Sequence, residues 1–126
     1  MIIRFLGLLL FLSIGCVGAH AQNNPSDHSR GADLYHSCQA AIRILDSNAK
    51  PEDYHDSEFC RGYMTAFGEF NDMEHTSICL GGTTIGTSAR VYVAYMEKNP
   101  KYMDDTMIDG VVFAFKETYP CPAPKK

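Results

Sequence analysis

The 126-residue chain has no tryptophan and few positive charges: 11 Lys and Arg stand against 15 Asp and Glu, a formal net charge of −4. A nucleic-acid binder needs a basic stripe to displace counterions from phosphates, and this composition supplies none. The common catalytic signatures are also missing. No G-x-S-x-G, no G-x-x-x-x-G-K-[ST] and no H-E-x-x-H occurs, which excludes the standard hydrolase elbow, phosphate loop and zinc-protease helix. The longest apolar run, Phe5 to Ile14, is shorter than the roughly 20 residues a helix needs to cross a bilayer. With 45% hydrophobic and 21% charged residues the chain is neither disordered nor collagen-like, and its length suits one domain.

The start of the chain reads as an export signal. Arg4 gives a positive opening, the apolar run follows, and Ala19-His20-Ala21 is the small-x-small pattern cut by a signal peptidase. Residues 1–21 are therefore expected to be removed. Leu12-Ser13-Ile14-Gly15-Cys16 loosely resembles a lipoprotein box, so a lipid anchor at Cys16 is the alternative, and the membrane enters only by that route. Gln22 to Gly31 then reads as a polar, flexible leader, Ala32 to Pro122 as the folded domain, and residues 123–126 as a tail. Without Cys16 four cysteines remain: Cys38, Cys60, Cys79 and Cys121. An even number in an exported chain implies two disulfides.

Four amphipathic segments make up the domain, and the expected fold is all-α, a small four-helix bundle of two hairpins. Leu34, Cys38, Ala41, Ile42 and Leu45 recur at helical spacing in Ala32 to Ser47. Phe59, Cys60, Tyr63, Met64, Phe67 and Phe70 do so in Ser57 to Met73, with Asp56 or Ser57 as the cap. Gly62 and Gly68 weaken that helix, and close approach of a neighbouring helix is the expected compensation. The third segment, Ile85 to Lys98, carries Ile85, Ala89, Tyr92, Val93 and Met96 on one face. Thr83 or Thr84 starts it and Lys98-Asn99-Pro100 stops it. The fourth, Asp104 to Tyr119, places Asp104 and Asp105 at its positive end and Ile108, Val111, Val112, Phe115 and Tyr119 in its stripe. The short connection makes segments three and four an antiparallel hairpin, which brings Cys79 beside Cys121 and leaves Cys38 for Cys60. This is one of three connectivities that four cysteines allow.

Candidate chemistry is sparse. His36, His55, Cys38 and Cys60 do not match zinc-ligand spacing, and paired cysteines offer no thiolate to a metal or a substrate. No metal, cofactor or catalytic residue is expected. The glycine-rich Gly81-Gly82-Thr83-Thr84 stretch lacks the lysine of a phosphate loop and reads as a loop with a helix cap. What remains are carboxylates and off-stripe tyrosines, Tyr54, Tyr95 and Tyr102, which suit a protein interface.

Ordered motifs point to a family. Cys60-Arg61-Gly62-Tyr63-Met64, then Ile78-Cys79-Leu80, Thr84, Tyr95-Met96-Glu97-Lys98-Asn99-Pro100 and finally Tyr119-Pro120-Cys121 resemble the C-x-G-Y, C-L-P, Y-L-x-x-H-P and Y-P-C pieces of the Rap/Tai-like immunity proteins of bacterial type VI secretion. Gly81 stands where that family usually has Pro. The resemblance implies a periplasmic protein that binds a cognate peptidoglycan amidase effector and blocks its active site, with no enzymatic activity of its own. The contact residues expected are Tyr54 and Asp56, and Asn71 to His75 with Asp72 and Glu74 supplying charge. A homodimer stays open. The alternative reading, from small size, acidic balance and histidines, is an acid-responsive periplasmic chaperone.

Overall fold

A computed structural model describes residues 29–74 and 77–123. The expected export signal, Cys16, most of the expected leader, His75 and the last three residues lie outside the described residues. Four helices follow in order: α1 Gly31–Leu45, α2 Asp53–Glu74, α3 Ile85–Lys98 and α4 Met107–Thr118, with a 3₁₀ turn at Pro100–Met103 before the last. The described residues form no strand, only two isolated bridges, Arg30 to Thr106 and Ile78 to Pro120. The all-α, two-hairpin architecture is the one expected.

Helix α1 lies at the centre and packs against each of the other three. It contributes Leu34, Cys38 and Ala41 to a core completed by Met64 and Phe67 of α2, Tyr92 and Met96 of α3, and Val111 and Phe115 of α4. Helices α2 and α4 meet only by side chains, chiefly the rings of Phe67 and Phe115, whose centroids are 5.4 Å apart. Two disulfides staple this arrangement. Cys38–Cys60 ties α1 to α2 at a Cα separation of 5.0 Å, and Cys79–Cys121 ties the α2–α3 loop to the end of α4 at 4.9 Å. Both pairings are those the hairpin geometry implies. Around the second staple, Cys79 N–H donates to Tyr119 O at 2.8 Å and Cys121 N–H to Ser77 O at 3.0 Å.

Helix ends show where local chemistry decides. Thr84 caps α3 by accepting from Thr87 N–H at 3.2 Å, and the helix stops at Asn99 before Pro100, as read. Three boundaries shift. Helix α1 stops at Leu45 because Ser47 turns into the left-handed region at φ 60°. Helix α2 begins four residues before the expected Ser57, because the carboxylate of Asp53 accepts from Lys50 N–H at 2.8 Å and closes the preceding turn. Helix α4 begins at Met107, not Asp104, because residues 100–103 wind into the 3₁₀ turn and Thr106 becomes the cap position.

The expected role of Gly62 and Gly68 is overturned. A Cβ added at either meets nothing within 4 Å, so no neighbouring helix approaches them. The glycines under real constraint are elsewhere. A Cβ on Gly31 would lie 2.3 Å from the Tyr102 carbonyl oxygen and 2.8 Å from Met96 Cε. Tyr92 uses the room by donating its hydroxyl to Gly31 O at 3.0 Å, and burial pushes that phenol's pKa well above its ordinary value. Gly31→Ala therefore costs about 1–3 kcal/mol through overpacking, whereas Gly62→Ala gains up to about 1 kcal/mol of helix propensity. Chemical denaturation of the two variants should show these opposite signs; a neutral Gly31→Ala would contradict the packing.

Candidate partner-binding surface

The α1–α2 joint sets the geometry of the surface around it. Asp53, the first residue of α2, is fully buried at 0% exposure. Its two oxygens accept from Arg43 Nε at 2.9 Å and Nη2 at 2.5 Å, across from α1. Hydrogen bonds from Arg43, and then from the Lys50 backbone, hold this carboxyl down at about 2 against an ordinary 3.8, although burial opposes them. One turn on, Ser37 Oγ donates to Asp56 O at 2.5 Å and accepts from Cys60 N–H at 2.8 Å. No buried side-chain nitrogen or oxygen among the described residues lacks a partner.

Two concavities flank this joint. On one side, a cleft of about 570 Å³ is lined by Asp33, His36, Arg43, His55, Asp56 and Phe59. On the other, a more apolar groove of about 430 Å³ runs between α1, α2 and the start of α3, with Ile44, Leu45, Tyr54, Ile85 and Ala89 among its walls. Leu45, Tyr54 and Ile85 are 56%, 63% and 39% exposed, so three large apolar groups rim this groove. Tyr54 thus rims the apolar groove, and Asp56 the polar cleft. Leu45 and Ile85 belong to core stripes by periodicity; they reach the surface because each is the terminal residue of its helix, beyond its neighbours' cover.

The other expected contact residues lie far away. Asp72 and Glu74 are exposed, but 18 residues of helix separate Asp72 from Tyr54, about 27 Å at 1.5 Å per residue. Tyr54 therefore forms no patch with Asp72 or Glu74. Asn71 is a correction of another kind. It is only 4% exposed, and its side-chain amide donates to Ile78 O at 3.0 Å, so it anchors the α2–α3 loop and presents nothing to a partner. Tyr95 and Tyr102 are half-buried and stack on one another at 5.9 Å, with Phe113 beyond at 5.1 Å from Tyr102. His36 and His55 are exposed and line one cleft, but among the described residues no three His, Cys, Asp or Glu side chains gather where a metal ion could be held.

A family model of the Rap1a immunity proteins matches residues 30–121. The chain belongs to that family. The match begins at the cap residue of α1 and ends at the last cysteine of the second staple, so it spans the whole helical domain. No curated protein and no solved structure matches the chain. Membership of this family implies a cognate secreted effector protein as the partner. Family and disulfides together indicate an exported protein.

The buried pair makes stability depend on pH with a definite sign. A carboxyl lowered in the folded state stabilises fully above its unfolded value, here 3.8, and loses that contribution as pH falls through about 2. Thermal unfolding between pH 5 and pH 2 should therefore show a steeper loss for the native chain than for Asp53→Asn, which has no proton to take up. Asp53→Asn should melt lower at pH 7. Parallel pH profiles would refute the role given to this carboxylate.

Proposed function

We propose that this chain is a periplasmic immunity protein that binds a cognate peptidoglycan amidase effector and covers its active site. The observation that supports this most is the Rap1a match over residues 30–121, which covers the entire folded domain. The physical features agree with it. Two disulfides suit an oxidising compartment. A stapled bundle offers a surface already in its bound shape, which lowers the ordering cost of association. Its acidic balance speeds encounter with a basic partner. Occlusion asks only for a rigid surface of sufficient area, typically about 800 Å² on each partner, and a domain of four helices has that to give.

The test is direct. The mature chain is purified together with the amidase encoded beside its gene, and release of stem-peptide fragments from peptidoglycan is followed. Inhibition that is complete at one chain per enzyme is expected. An amidase that keeps full activity in an excess of the chain, with no complex on gel filtration, would refute the reading.

A further inference from the structure

Helix α2 carries two apolar stripes, and the fold fully buries one. Its buried residues are Asp53, Ser57, Cys60, Met64, Phe67 and Asn71, spaced 4-3-4-3-4. That is a single narrow seam against the bundle. A second series, Phe59, Tyr63, Ala66, Phe70 and Met73, repeats with the same 4-3-4-3 spacing. At 100° per residue its centre lies about 120° round the helix from the buried seam. This stripe is largely exposed, with Tyr63 at one edge half-buried against the core. Phe59, Phe70 and Met73 are 39%, 51% and 69% exposed, and Ala66 is exposed as well. Phe59 and Tyr63 continue one another with ring centroids 6.2 Å apart.

The edges of the stripe are charged with one sign. The same geometry sets Glu58 and Glu69 along one edge and Asp56 and Glu74 along the other, and all four are exposed. The only cation of α2, Arg61, lies beyond the Glu58 edge and pairs with Glu58 at 2.7 Å. The end of α2 also carries acids where a helix least favours them. Asp72 and Glu74 occupy the last turn, which has no basic residue, against the negative end of the dipole. Gly62 lies beside the stripe with open space above it, at a cost of about 1 kcal/mol in propensity and without any contact in the fold to explain it. A helix that gives up propensity and dipole complementarity on its outer side, while keeping heptad-spaced apolar groups there, has the pattern of a helix that receives another element.

We infer that the Phe59–Met73 stripe of α2 is the surface on which the effector docks, and that the effector presents to it an apolar ridge edged by Lys or Arg. The inference rests on the immunity reading above and adds the face and the chemistry of the partner. A second copy of this chain is a poor occupant, because pairing two such stripes sets four carboxylates against four. A basic partner turns the same edges into attraction, and Gly62 lets its backbone come close.

The experiment compares the disulfide-bonded mature chain with three variants, using the neighbouring amidase as the probe in titration calorimetry and stopped flow. Circular dichroism and melting confirm that each variant is folded; the substituted side chains are exposed, so the core is left intact. The double variant Phe70→Ala, Met73→Ala should bind roughly 30-fold or more weakly, the loss typical of apolar anchors. Glu69→Lys, Glu74→Lys should slow association roughly tenfold at low salt and flatten its salt dependence. Lys98→Ala, exposed at the end of α3 and outside the stripe, should stay within about threefold of the native chain. If the native chain binds and the stripe variants bind equally well, the docking face is wrong while the immunity reading stands. If the native chain does not bind the amidase, both fail together. A dimer of this chain that Phe70→Ala, Met73→Ala dissolves would assign the stripe to a second copy and overturn the inference.

Discussion

The fold depends on the seam between α1 and α2. Three kinds of interaction are stacked along it within a few turns: the Arg43–Asp53 pair, the Ser37 hydroxyl bridging Asp56 O and Cys60 N–H, and the Cys38–Cys60 disulfide. Each relies on the others. A buried carboxylate is tolerable only with its guanidinium in place, and the guanidinium is in place only if the two helices keep their register, which the disulfide holds. Since α1 is also the helix against which α3 and α4 pack, fixing this seam fixes the platform for the rest.

One consequence is that α2 can be held by a single narrow strip. A 22-residue helix with six buried positions leaves most of its surface to solvent. In a bundle without the covalent and ionic ties of this seam, so peripheral a helix would fray. Here it is tied by the disulfide and the ion pair and largely exposed; a surface held in place offers contact area without much entropy to lose on binding. The inner side of α2 thus carries the ties that hold it, and its outer side is left largely exposed.

Much of this was legible in the sequence, and the exceptions share a cause. The third helix could be read to the residue because its signals are local: Thr84 at the start, Lys98-Asn99-Pro100 at the end. The disulfide pairing followed from short connections between antiparallel helices. The start of α2 could not be read, because Asp53 owes its place to Arg43, ten residues upstream on another helix. Asn71 looked like a loop-facing polar residue, and only the packing shows its amide turned inward to Ile78 O. For the candidate surface, the aromatics of α2 were visible but merged into one stripe. Periodicity alone cannot say that Cys60 and Met64 face the core while Phe59 and Phe70 face water; that depends on which side α1 lies. The carboxylates at the ends of α2 were picked out, but not that Asp56 and Glu74 are separated along the helix by about 27 Å.

The central claim is that the exposed side of α2 meets the effector. Amide hydrogen exchange, measured on the chain alone and in complex with the amidase, tests it most directly. Slower exchange concentrated in residues 59–74 on binding is the expected result. Protection confined to the loop at 77–84 and the chain end at 119–123, with α2 unchanged, would contradict it.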